Sequence, residues 1–367
     1  MNYPNYPKSL LSLISSVLVH YGVDTEHTTY KKADELLAKN PKNVVIMLFD
    51  GLGENILEKH LSKNDFLMCN KKDVITSVFP PTTTSATTTM ASGLSPVEHG
   101  WLGWTLKFDE IGKNVCLFPN TEFLTDEQAE EYNVANRFIP YKTVFEKISE
   151  ATKGRVRAEF VSPFSEYKAD TLESIGDIVK KLCAENGEKY VYAYNNQPDH
   201  DIHCFGVSDG RIREQVKRIN DFVEETSKSL HDTLLIVIAD HGLIDVEWKY
   251  LIDYPELCDC LSDYPSIEPR ALSFFVKQDK KDIFEREFKK IFSDEFELMT
   301  KEQVFENHVF GYGKENKKAR DFVGNYLAIA KGKTAVNVIR PEVIFKGMHA
   351  GQTQDEYNVP FIAVELD

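Results

Sequence analysis

The sequence predicts an α/β fold: a mostly parallel sheet sandwiched by helices, with a small α+β lobe inserted late in the chain. Three observations carry that expectation. Short, continuously apolar runs bounded by turn residues, such as 43–49 and 233–239, have the length and composition of interior strands. Amphipathic segments alternate with those runs, which is the rhythm of strand–helix–strand units. After Asp245 the rhythm breaks, and 272–277, 280–292 and 325–330 read as strand, helix and strand of a separate unit.

Taken in order, the chain opens with Leu10, Leu11, Ile14, Val17, Leu18 and Tyr21 at helical spacing. Serines interrupt this run and no small-residue cleavage site follows, so it reads as an amphipathic helix rather than a secretion signal. The strand 43–49 ends at Asp50-Gly51-Leu52-Gly53 and leads into a helix reaching about His60. A second strand, 74–79, breaks at Pro80-Pro81 and enters a threonine-rich stretch closed by Gly93. Threonine forms helices poorly but caps them well, because its hydroxyl accepts from unpaired backbone N–H groups. A hydroxyl at such a helix start sits at the positive dipole end, where anions bind. From 103 to 140 the pattern loosens into a polar, aromatic-dotted stretch, expected to be a loop-rich insertion near the site. Helix at 141–152, strand at 157–161, helix at 170–185, strand at 189–194, helix at 211–230 and strand at 233–239 follow. The lobe is expected over 247–340, leaving 1–246 plus 341–367 as the core, with a last strand at 361–365.

A net charge of -15 argues against a nucleic-acid scaffold or an anionic membrane surface as partner, since both require basic patches. It leaves room for a phosphorylated small molecule if metal ions supply local positive charge. The six cysteines form no disulfide framework, and Cys258-Asp-Cys260 lacks the second pair of a structural zinc site. A reducing, cytoplasmic setting is expected. No apolar segment is long enough to span a membrane.

Asp50 and Asp240 directly follow buried strands, and Asp199 lies just beyond another. In open α/β sheets the ligand crevice lies outside the carboxyl ends of the strands, so the three carboxylates are expected to converge. Unpartnered, they would repel one another strongly. His203 stands four residues after Asp199, His241 adjoins Asp240, and His349 sits in Gly347-Met-His-Ala-Gly351. Mixed carboxylate–imidazole ligation suits zinc, or manganese where carboxylates dominate. Each feature alone has an ordinary explanation: a strand-end aspartate is usually a turn former, and Gly-x-His-x-Gly a flexible loop. Their joint order is the signal.

Asp50-Gly, the threonine stretch ending Ser92-Gly93 with His99-Gly100 beyond it, Pro198-Asp199-x-x-x-His203, Asp240-His241-Gly242 and Gly347-x-His349-x-Gly351 together resemble the alkaline phosphatase superfamily. The branch they resemble is the type I phosphodiesterase/nucleotide pyrophosphatase family. The resemblance covers about 43–104, 189–242 and 345–364. It implies an alkaline-phosphatase-like core and a nucleophile ten residues before the glycine of Ser92-Gly93. That position is Thr83, with Thr82 and Thr84 one step away on either side. It further implies two divalent metal ions, zinc or manganese, one held by Asp50, Thr83, Asp240 and His241, the other by Asp199, His203 and His349. Three carboxylates against two dications leave a net positive site that welcomes phosphate. The implied reaction is a two-metal, in-line displacement through a phosphothreonine.

Two positions depart from the family pattern. The run Thr-Phe-Pro-Asn-His is here Thr83-Thr-Ser-Ala-Thr87, and an asparagine expected five residues after His99 is Trp104. Trp104 is thus a candidate substrate contact, through its indole N–H or by stacking on a flat leaving group, or else a packing residue under 103–140. The expected function is a phosphodiesterase or nucleotide pyrophosphatase acting on a phosphorylated small molecule such as a nucleotide. Phosphomonoester or phosphonate hydrolysis on the same site is the alternative, and a metal-stabilised binding protein without turnover is the reading of a different class. The 247–340 lobe is expected to act as a lid that supplies no metal ligand.

Overall fold

A computed structural model describes residues 4–367. The central strand Asn43–Phe49 is buried along its whole length, which requires cover on both faces of the sheet. It pairs in parallel with Glu188–Asn195 on one side and Thr233–Ile238 on the other. The seven-stranded sheet runs Lys71–Thr76, Asn358–Leu366, Thr233–Ile238, Asn43–Phe49, Glu188–Asn195, Val156–Ser162, Tyr167–Lys168. Only Asn358–Leu366 runs against the others, antiparallel to both of its neighbours. The parallel register pairs Leu48 with Ile238, so two residues further on Asp50 and Asp240 stand at the same level. The sheet itself therefore brings these two carboxylates together.

Helix Leu10–His20 starts with a reciprocal Ser9/Ser12 capping box and buries Leu10, Leu13, Ile14 and Val17 in the core. Among the described residues no helix is long and apolar enough to cross a membrane. The strand expected at 74–79 lies instead at Lys71–Thr76. Val78 and Phe79 are buried but irregular, because an apolar run reports burial whether or not the backbone is paired.

A second seven-stranded sheet is antiparallel and runs Phe296–Thr300, Tyr326–Ala330, Ala271–Phe274, Ser266–Glu268, Thr105–Phe108, Lys113–Cys116, Thr121–Glu122. The stretch 103–140, expected to be loop-rich, contributes three of these strands. They are two to four residues long, too short for period-two alternation to register in the sequence. This sheet has a core on each face. Leu327 and Ile329 point into one apolar cluster with Phe108 and Phe322, while Ala328 and Ala330 point into another with Phe284 and Phe288.

Candidate active site

Everything gathers at the carboxyl ends of the core strands. The Asp50 backbone N–H donates to Asn195 O at 2.9 Å, and Asp50 O accepts from the Asp199 N–H at 3.0 Å. Between them Gly51 adopts φ +70, and a Cβ there would fall 2.8 Å from Asp199 Cβ, so only glycine lets the two loops meet. The Gly51 and His241 N–H groups both donate to Asp240 Oδ1 at 3.0 Å. His241 Nε2 lies 3.4 Å from Asp50 Oδ1 and 3.5 Å from Asp240 Oδ2.

Thr83 is the first residue of helix Thr83–Ser92, entered through an extended Thr82 and closed by a left-handed Gly93. Its Oγ1 lies 3.3 Å from Asp50 Oδ2 and 3.2 Å from His241 Nε2. Of the three consecutive threonines it alone turns its hydroxyl to this cluster. The Thr82 hydroxyl makes no capping bond and donates to Glu268 Oε1 at 2.6 Å, and Thr84 is buried.

Asp199 opens helix Asp199–Phe205, and His203 is one turn later on the same face, with Nε2 3.2 Å from Asp199 Oδ2. Its other nitrogen, Nδ1, is 2.7 Å from Gly347 O, a bond that fixes the ring with Nε2 towards the carboxylate. A two-stranded link, Ile244–Asp245 with Gly347–Met348, carries His349 back to His241, and the two rings stack with centroids 3.9 Å apart. His349 Nε2 is 3.9 Å from Asp199 Oδ1. All seven residues expected as ligands thus share one locality.

The donor set fits cations. Asp199, His241 and His349 offer ligand atoms within 4.8 Å of one another, as do Asp50, Asp240 and His241. Asp199 Oδ1, Asp240 Oδ2 and His349 Nδ1 are buried without a hydrogen-bond partner, a costly condition that a bound ion relieves. Burial, then repulsion from Asp240 and Asp199, holds the Asp50 carboxyl well above the usual range, and burial also raises Asp240. Burial pushes Asp199 up too, but His203, His349 and His241 outweigh it and hold that carboxyl low. Burial and the neighbouring His241 keep His349 well below the ordinary imidazole value, hence neutral and able to donate a lone pair.

The cluster opens into a cavity of about 460 Å³ between the two sheets. Trp104 lines it, 42% exposed, and its ring also meets Phe118 of the 103–140 stretch edge-on, with centroids 5.9 Å apart. His200 is exposed on its rim, whereas His99 is buried, with Nε2 3.2 Å from Thr89 Oγ1 and Nδ1 accepting from Trp101 N–H at 3.0 Å. His99 therefore ties the loop to the Thr83–Ser92 helix. A larger cavity, about 740 Å³, lies at the opposite, amino ends of the core strands, away from these groups.

Sequence reasoning missed two residues. The Tyr194 hydroxyl donates to Asp50 Oδ2 at 2.6 Å, and the only sequence hint was its place at a strand end. Glu268 comes from the lobe and lines the cavity, and no spacing linked it to the site.

The sequence family described as type I phosphodiesterase/nucleotide pyrophosphatase matches residues 44–302. Among curated proteins no sequence matches. Murine ectonucleotide pyrophosphatase/phosphodiesterase 5 has a similar fold, with TM-score 0.65 and 16% identity over 87% of each chain. Phosphonoacetate hydrolase from Sinorhizobium meliloti 1021 is also similar, with TM-score 0.63 and 14% identity over 87% of this chain and 89% of that one.

Proposed function

Because the chain belongs to the type I phosphodiesterase/nucleotide pyrophosphatase family, and is with it a hydrolase of phosphate esters, we propose that it cleaves phosphodiesters by attack of Thr83. The observation that carries this reading is the Thr83 hydroxyl held between the Asp50 carboxylate and the His241 imidazole at a helix N-terminus. Asp50 and His241 orient that oxygen, and Tyr194 holds Asp50 in place from behind. The helix that Thr83 opens leaves its first-turn N–H groups without intrahelical acceptors, an arrangement that favours an anion there. Thr83 Oγ1 gives up its proton to solvent water and bonds to phosphorus as the ester oxygen departs on the opposite side and takes up a proton, leaving a phosphothreonine that water then cleaves. Asp50, Asp240, His241, Asp199, His203 and His349 would hold two divalent ions, zinc by the character of the donor set. When bound, such ions lower the pKa of the nucleophile and offset charge on phosphate oxygens.

The murine neighbour is described with an inactive threonine-to-alanine variant in complex with AMP, which supports a threonine nucleophile and a nucleotide-like ligand. Phosphonate or phosphomonoester cleavage is the alternative, supported by the Sinorhizobium meliloti enzyme's complex with phosphonoacetate. A cytoplasmic setting is proposed on the six unpaired cysteines.

The test pairs turnover with metal content. Bis-p-nitrophenyl phosphate, p-nitrophenyl phosphate, a nucleotide p-nitrophenyl ester and phosphonoacetate are offered with zinc or manganese. Thr83→Ala should lose about a thousandfold in turnover, ~4 kcal/mol of barrier, while retaining its metal. Undiminished turnover in that variant would refute the assignment.

A further inference from the structure

We propose that Glu268 is a charge filter, admitting monoanionic phosphodiesters with an uncharged or cationic leaving group and turning away substrates with a second negative charge. The inference rests on the phosphoesterase reading above and narrows its substrate class.

Glu268 ends the strand Ser266–Glu268 and is 6% exposed. One oxygen, Oε1, accepts both the Thr82 hydroxyl at 2.6 Å and the Trp104 backbone N–H at 2.8 Å. Those bonds fix the carboxyl beside the residue that precedes Thr83, and Glu268 and Thr83 line the same cavity. A glutamine would accept the same two hydrogen bonds without the cost of burying a charge, so bond satisfaction alone does not account for an acid here. The other buried acids have charged or imidazole partners: Glu54 has Lys71, Glu356 has Arg270, and Asp50 and Asp240 have His241. Glu268 has a hydroxyl and an amide.

The surrounding wall matches this charge. No lysine or arginine is among the described residues lining the cavity, so away from the carboxylate–histidine cluster no basic side chain offsets a carboxylate or second phosphate on the leaving group. Trp104, Phe123, Trp248 and Phe345 line it instead. Their faces accept a flat, apolar or cationic group. A second anionic oxygen would meet the Glu268 carboxylate across a low-dielectric gap.

Burial, partly countered by the Thr82 hydroxyl, raises this carboxyl to about 7, so the comparison is made at about pH 8.5, where it is ionised. The readout is kcat/KM for p-nitrophenyl phosphate relative to bis-p-nitrophenyl phosphate, each with zinc. Glu268→Gln should raise that ratio about tenfold, the effect of one unscreened charge contact. A ratio unchanged within about twofold, or a lower one, overturns the filter while leaving the phosphoesterase reading intact. Failure of the wild-type protein to hydrolyse either ester overturns that reading and the filter together. If the variant does not fold, inhibition of the wild-type enzyme decides. Phenylphosphonate dianion should bind about tenfold more weakly than its monomethyl ester, and equal or tighter binding of the dianion overturns the proposal.

Discussion

Arg270→Met should both destabilise the protein and loosen its metal site. Arg270 and Glu356 are fully buried, and the guanidinium donates from Nε to Glu356 Oε1 at 2.7 Å and from Nη2 to Oε2 at 2.9 Å. Its remaining donors reach Thr334 O and Gly332 O at 2.8 and 2.7 Å. Removing one partner of such a pair leaves an uncompensated charge, at a cost of about 3–5 kcal/mol. Unfolding entropy of about 2.1 cal/mol/K per residue gives ~0.8 kcal/mol/K for this chain, so the melting midpoint should fall by about 4–6 °C. The pair also governs the site. Glu356 O accepts the Gly242 N–H at 2.8 Å and Glu356 Oε1 accepts the Gly351 N–H at 2.7 Å. One residue thereby holds the loops that carry His241 and His349. Zinc affinity should drop about 10–100-fold, the usual effect of losing groups that orient ligands. Calorimetry and a competitive zinc titration measure the two effects, and Arg270→Met with Glu356→Gln should recover part of the stability by neutralising the orphaned carboxylate. A single-variant midpoint shift below about 1 °C with unaltered zinc affinity would refute the reasoning.

Chelation with EDTA should abolish turnover and lower the melting midpoint. An ion present at about 100 times its dissociation constant contributes about 2.7 kcal/mol, or ~3 °C for a chain of this size. An unchanged midpoint and turnover would mean that the carboxylate cluster serves another purpose. Trp104→Ala should reduce kcat/KM on an aryl or nucleotide ester by about 5–150-fold relative to a small alkyl ester, the equivalent of ~1–3 kcal/mol of stacking. Equal losses on both esters, or a large fall in midpoint, would leave Trp104 as a packing residue.

The local rules were legible from residue order. The apolar runs at 43–49 and 233–239 marked interior strands because a strand covered on both faces has no polar side to show. Asp50, Asp199 and Asp240 stood out by following such strands, and Thr83 by its spacing to Ser92-Gly93 in the family resemblance. A parallel sheet delivers all its carboxyl ends to one edge, so these separate segments had a common destination before any pairing was known.

What needed the tertiary structure were contacts whose partners lie far apart and whose environment is set from elsewhere. Which of three threonines faces the carboxylate–histidine cluster depends on the helix's rotation, and a shift of one residue turns the hydroxyl away by roughly 100°. The short strands Thr105–Phe108 and Lys113–Cys116 become strands through pairing, Thr105–Phe108 with Ser266–Glu268 more than 150 residues away in sequence. That same pairing places Glu268 against Thr82 and Trp104. Its hairpin also carries Arg270 to Glu356. Sequence periodicity reports whether a side chain is buried, but the identity of its neighbours is decided only when two distant segments meet. The carboxylates and histidines at the strand ends were therefore readable from their joint order along the chain, whereas the contacts of Glu268 and the ion pair that ties the loops exist only in the assembled fold.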